Sequence, residues 1–441
     1  MIIQEFSFGN FRSFKELQTL NMSAAKIKSK YNRIDETNVI AIKECKGVSF
    51  LKTKAIYGAN SSGKSNIIKA LVTFIRIIKN SVKDEGVLEF IESFQFSTET
   101  ENEPSFFQLI FWIDNVRYRY GFEADAKRIH SEWLFARLKE REQSYFIREN
   151  QKIIKIDKTN FSEGNKVVSL FDNKSTDNEI FRNNSLFLSS ISSLGIGTLS
   201  KFLVKKISSI IVINGLGHQG LYRYAGDSLK REDVKEFILN LLKYGDTGIQ
   251  DVRTIELNSE NIPTDLDDDV QKKIKDNKLR MLISARQKFD KELNFKENVP
   301  LPFRMIESEG TLKLFELSPF VYEAINEGRP LIIDEFDARF HPLLTKKIIE
   351  LFQSKNNNTS QLLFITHDTN LLSADFLRRD QIEFVEKDKY GASHLYSLVQ
   401  FKGIRNNASF EKDYIQGKYG AIPFLGGFNK LFNFNSNAQK D

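Results

Sequence analysis

Residues Gly58-Ala59-Asn60-Ser61-Ser62-Gly63-Lys64-Ser65 satisfy every fixed position of the phosphate-binding pattern G-x-x-x-x-G-K-[ST]. The chemistry open to such a loop is retention of a nucleoside triphosphate. Its glycines let backbone N–H groups turn inward around a β-phosphate at a helix N-terminus, where the macrodipole favours anions. Lys64 would reach the β- and γ-phosphates and Ser65 would ligate Mg²⁺. Gly58 through Asn66 is therefore the expected nucleotide-contact set. Hydrolysis needs two further groups. Asp334 follows the apolar run Leu331-Ile332-Ile333 and is the expected second metal ligand, near Ser65. Glu335, one residue on, would act as general base toward the attacking water. His367 ends the next apolar run and would hydrogen-bond the γ-phosphate. Ser308-Glu309-Gly310 opens a helix, where Ser308 and free backbone N–H groups suit an anion. Ser308 is distant from Lys64 in sequence, so it makes sense if two subunits face each other head to tail.

The elements that must carry these groups are legible around them. Thr53 to Tyr57 reads as a buried strand. Asn66 to Lys79 has apolar residues at helical spacing (Ile67, Ile68, Leu71, Phe74, Ile75, Ile78). From residue 305 onward helices alternate with apolar strands. A helix runs over about Leu312–Glu327 and ends at Gly328, a strand covers Leu331–Ile333, a helix Leu343–Gln353 and a strand Gln361–Ile365. This alternation predicts parallel βαβ units, whose chemistry sits at the carboxyl ends of the strands. Upstream, Ile2–Phe8 and Phe14–Met22 read as strands, as do Phe94–Ser97, Phe106–Ile113 and Val116–Phe122. Asp114-Asn115 is a hairpin turn, and 129–156 continues the β pattern more weakly. Residues 160–300 are less regular. Ser209–Ile213 reads as a strand, Asp227–Lys243 as an amphipathic helix and Val270–Leu293 as charged helix. Asp265–Asp269 is acidic enough to suggest a metal site but, with no converging partner, reads as a solvated loop. The implied organisation is 1–160 with the β lobe and phosphate loop, 161–300 as a helical or irregular insertion, and 301–441 with the remaining motifs and tail.

A chain of 441 residues with 41% hydrophobic and 28% charged residues is an ordinary globular composition. The 38 Phe are expected in the core. A net charge of +6 permits contact with nucleic acid without demanding it. The basic clusters Lys26–Lys30, Lys205-Lys206 and Lys272–Lys275 read as solvated faces. Cys45 is the sole cysteine, which excludes an internal disulfide and fits a reducing compartment. The start lacks a signal-peptide pattern and no apolar stretch reaches membrane-span length, so the expected location is cytoplasmic.

Taken in order, the phosphate loop, a serine–glycine signature, Asp334-Glu335 and His367 resemble the ABC-type ATPases. Asn10-Phe11-Arg12-Ser13-Phe14, Glu307-Ser308-Glu309-Gly310-Thr311, Ile333-Asp334-Glu335-Phe336-Asp337 and Phe364-Ile365-Thr366-His367-Asp368 resemble the SMC, RecF and OLD group within them. Phe340-His341-Pro342 and Asp413–Pro423 look like the bacterial AAA-type ATP-binding proteins, which include the ATPase subunits of the phage-defence systems AbiL, RloAB and PARIS. The resemblance implies an α/β P-loop NTPase of ABC-ATPase type, with a mixed central sheet, an N-terminal antiparallel β lobe and a helical insertion. It implies ATP and Mg²⁺ sandwiched in a homodimer, with Ser308 and Gly310 finishing the opposite subunit's site and Asp337 relaying between sites. Arg12 would contact nucleotide, and Gln95 is the candidate glutamine-loop metal residue. Glu309 stands where many members have Gly, which bears on the hydrolysis rate. The acids after His367 do not form a Toprim nuclease pattern, so a nuclease or toxin activity would belong to a separate partner chain. The expected function is a slow ATPase switch in anti-phage defence. A RecF-like repair ATPase on duplex DNA and a scaffold with structural ATP are the rivals. A GTPase is disfavoured because no Asn-Lys-x-Asp motif is present.

Overall fold

The computed structural model describes residues 1–42, 47–138, 141–171, 182–216, 219–257, 279–405, 407–423 and 426. Cys45, the Asp265–Asp269 loop and the Lys272–Lys275 cluster lie outside them. The chain forms two compact units. One comprises Ile3–Ser208 with His367–Asp441, and the other Met1–Ile2 with Ser209–Thr366.

In the first stretch of the larger unit, β1 (Ile2–Gly9) pairs antiparallel with β2 (Gln18–Asn21), and β3 (Val39–Ala41) with β4 (Ser49–Leu51). The fully buried β5 (Thr53–Gly58) runs into the phosphate loop, and the helix Lys64–Asn80 follows. Then come β6 (Ser105–Ile113), β7 (Val116–Ala124), β8 (Ile129–Arg137), β9 (Glu142–Glu149) and β10 (Lys152–Ile156). With β1 and β2 they form a seven-stranded sheet of order β10-β9-β8-β7-β6-β1-β2. Asp114 and Asn115 hold φ of 47° and 64°, as a two-residue primed turn requires. Phe residues fill the interface between this sheet and the phosphate-loop helix. Phe74 stacks on Phe122 at 5.5 Å and tilts against Phe6 at 5.7 Å. Burying one such ring contributes roughly 1.5–3 kcal/mol, so this interface anchors the helix whose first turn carries Lys64.

Phe94–Ser97 is not a strand. It follows a short 3₁₀ turn (Val87–Phe90), and the Phe94 N–H donates to the Asn10 side chain at 2.9 Å instead of to a ladder. Helices Phe187–Leu194 and Leu199–Ser208 close this stretch and bury Phe187, Leu188, Ile191, Leu203 and Ile207. Among the described residues, no single helix is long and apolar enough to cross a membrane.

In the smaller unit, β11 (Ile211–Asn214) precedes helices Gln219–Ser228 and Glu232–Tyr244. An antiparallel sheet of β12 (Ile249–Leu257), β13 (Leu279–Phe289) and β14 (Phe295–Pro302) follows. The helical expectation for Val270–Leu293 therefore fails over Leu279–Phe289. Its period is two, with Leu282 and Ser284 buried on one face, and ladders on both sides outweigh helix propensity. The helix Glu309–Glu327 then leads through Gly328 (φ 63°) to β15 (Leu331–Asp334). Helix Pro342–Gln353 and β16 (Leu362–Ile365) complete the unit. Strands β11, β15 and β16 are parallel neighbours.

Back in the larger unit, β17 (Ile382–Lys387) pairs parallel with β5 and antiparallel with β18 (Ser393–Ser397). The motif-bearing sheet is thus mixed, as expected.

Candidate functional site

The phosphate loop is shaped by close backbone approach. A Cβ on Gly58 would lie 2.4 Å from the Val385 carbonyl oxygen of β17. Gly63 holds φ +111° as the N-cap of the Lys64 helix, and a Cβ there would come within 2.5 Å of Ser393 Oγ. Ser61 is also left-handed, at φ 62°. Lys64 is buried, and its Nζ donates to the carbonyls of Gly58 and Ala59, both at 2.8 Å. The ammonium is thus folded onto its own loop, within reach of the place where phosphate oxygens would be bound. Ala59, Asn60 and Ser61 form the accessible rim, Ser62 is buried behind it, and Ser65 sits in the first helical turn. Asn66 donates to Ser13 Oγ at 2.9 Å.

Three other expected positions lie in the same unit. Arg12 (φ 51°) is ion-paired to Glu92 at 2.6 Å. Gln95 is exposed in a loop and donates to Ser93 Oγ at 2.8 Å. His367 is exposed just after β16.

In the smaller unit, Asp334 ends β15 and its Oδ1 is buried without a hydrogen-bond partner. An orphaned carboxylate oxygen at a strand tip is costly unless something binds there, which fits a ligand for Mg²⁺. Glu335 adopts φ 51° directly after it, turning the chain out of the strand. Ser308 is exposed and caps the 19-residue helix Glu309–Glu327, accepting from the Thr311 N–H at 3.2 Å. Gly310 is obligatory, since a Cβ would stand 2.8 Å from the Arg339 carbonyl oxygen just past Asp337. The signature turn therefore packs directly on the loop that follows Asp334-Glu335.

A family model described as "AAA domain, putative AbiEii toxin, Type IV TA system" matches residues 55–373. The chain belongs to this family. Membership together with the motif order makes it an ABC-type P-loop ATPase of the AAA-annotated group, with ATP and Mg²⁺ as the family's general ligands. Among solved structures, the SMC head domain from Thermotoga maritima matches at 11% identity and TM-score 0.40, over 90% of this chain and 99% of that one. The SMC head bound to the C-winged helix domain of ScpA matches at 13% identity and TM-score 0.39, over 90% and 98%. An SMC head with an extended coiled coil, bound to the C-terminal domain of ScpA derived from Pyrococcus furiosus, matches at 14% and 0.39, over 95% and 99%. No curated protein matches.

Several residues that shape the two halves of this AAA-family chain carry no signal in the sequence. Ser393 on β18 donates to the Ser62 carbonyl at 2.6 Å, and its N–H donates to the Ser13 carbonyl at 2.7 Å, bracing the phosphate loop from behind. Gly215 donates its N–H to the Asp334 carbonyl at 2.7 Å and is too close to the Glu335 carbonyl for any side chain. Glu307 is buried and accepts from Arg286 at 2.5 Å and Ser284 at 2.9 Å, fixing the approach to Ser308.

Lys313 is the most consequential of them. It is 2% exposed, and its Nζ donates to the carbonyls of Glu335 (3.2 Å), Phe336 (2.9 Å) and Ala338 (2.6 Å). Burial pushes its pKa down to about 8, so at neutral pH it still carries all three donors. One side chain thus ties the signature helix to the Glu335–Ala338 loop. Lys313→Met should cost about 2–4 kcal/mol, because one buried and two part-buried carbonyls lose their donor. Chemical denaturation of the full chain measures that loss, and a change below about 0.5 kcal/mol would dismiss the clamp.

Proposed function

We propose that this chain is a slow ATPase switch that closes as a homodimer on ATP and controls a separate effector, a nuclease or toxin, in anti-phage defence. The observation that carries the reading is the surface around Ser308. Met305 is 82% exposed and Ile306 53% exposed, beside an exposed helix N-cap. Large apolar side chains flanking an anion-suited helix start fit a face that a second copy covers when ATP is bound. The family description, with its toxin and type IV toxin–antitoxin terms, supports the defence context.

Bound Mg–ATP would supply the phosphoanhydride bond and a cation that neutralises it. Lys64 would exchange the Gly58 and Ala59 carbonyls for phosphate oxygens, and Ser65 with Asp334 would hold the metal. Glu335 would accept the proton of the attacking water, and His367 would hydrogen-bond the terminal phosphate. Ser308 and Gly310 of one copy would complete the site of the other, with Asp337 between the two. Light scattering of the full chain should give a monomer without nucleotide and a dimer with ATP and Mg²⁺, with phosphate released slowly. A monomer under both conditions would reject the dimer.

A further inference from the structure

Strand register aligns Trp112 of β6, Arg117 of β7, Arg137 of β8 and Glu142 of β9 in one row across the seven-stranded sheet. Arg119 lies two residues along β7, on the same face. With Ser23 and Ser49 opposite, these residues line an open cleft of about 540 Å³. Two guanidinium groups share one carboxylate: Glu142 accepts from Arg117 at 2.7 Å and from Arg119 at 2.5 Å. Burial alone would raise the Glu142 pKa, but the two arginines hold it below the usual range. Arg137 lies 5.2 Å from the Trp112 ring centroid and has no hydrogen bond or ion pair among the described residues. Gln4 Oε1 accepts from Trp112 at 2.8 Å and from Arg117 Nε at 3.1 Å, so the row is held in place from below.

Arg117 and Arg137 are directly opposite on adjacent strands, a placement in which like charges destabilise the bare sheet. An anion in the cleft would relieve that repulsion. Arginine, unlike lysine, presents a planar fork matched to phosphate. Arg119 lies 4.0 Å over Phe135, and guanidinium planes backed by rings offer flat faces to bases. The cleft is also large enough for a nucleotide and oversized for a lone inorganic anion.

We propose that this cleft is a second nucleotide site, built from residues other than the phosphate loop, which binds the phosphate groups of a nucleotide, free or within a single strand. The test uses the full chain carrying Lys64→Ala, so that binding at the phosphate loop does not contribute. Fluorescein-labelled ADP and a short labelled oligothymidylate are titrated by anisotropy at low salt. At least one probe should bind. Arg137→Ala should weaken it about tenfold, and Glu142→Gln should tighten it by freeing two arginines. Binding of the oligonucleotide alone, with a salt slope that falls by about one on Arg137→Ala, identifies a strand as the source; binding of ADP alone identifies a free nucleotide. The gain on Glu142→Gln is a direction that loss of folding does not mimic. Absence of binding by both probes, or binding indifferent to Arg137→Ala and Glu142→Gln, would overturn the proposal.

Discussion

Lys64→Ala should lower the affinity for Mg–ATP by roughly a hundredfold and reduce phosphate release to background. The lysine is buried against its own loop, and the two carbonyls it satisfies at 2.8 Å are weak competitors for a triphosphate oxygen. Its removal takes away the one cation that the loop itself supplies. Only rim residues and the helix N-terminus would then remain to offset the phosphate charge. The fold should survive, because the helix is anchored by Phe74 and its neighbours, remote from the first turn. Calorimetric titration with Mg–ATP, alongside a thermal melt, separates the two effects. Wild-type affinity in a folded variant would remove the phosphate loop from the account.

Glu335→Gln should retain ATP binding, slow hydrolysis by about a hundredfold or more, and accumulate the ATP-bound dimer. The amide keeps the size of the carboxylate and leaves the φ 51° turn intact, since Lys313 grips the Glu335 backbone carbonyl and not the side chain. What disappears is the ability to take a proton from water. Phosphate release measures the chemical step, and light scattering measures the dimer. Hydrolysis at the wild-type rate would exclude Glu335 as the base. A variant that binds ATP yet stays monomeric would reject the switch while leaving the nucleotide site in place.

The two variants fall on segments whose local structure was legible before any coordinates. Thr53–Tyr57, the Gly58–Ser65 loop and the helix after it are contiguous, and each step is set by short-range preferences: β-branched burial, glycine at left-handed or crowded positions, then a 3.6-residue apolar period. The strand before Asp334 and the Ser308-capped helix were legible for the same reason. Phe94–Ser97 misled because its apolar residues serve a loop pinned by the Asn10 side chain, a contact with a residue far away in sequence. Leu279–Phe289 misled because its charged residues mimic a helical surface, whereas pairing with β12 and β14 decides its conformation.

The sequence by itself determined a phosphate loop, a strand-tip carboxylate pair and the order of parallel units that carries them. Those features depend on neighbours a few residues apart, whose preferences act whatever the rest of the chain does. Only the tertiary structure decided that Ser393 braces Ser62 across 331 residues, that Lys313 ties the signature helix to the Glu335 loop, and that two arginines share Glu142. Such contacts arise from pairing register and burial over long separations, and no local period encodes them.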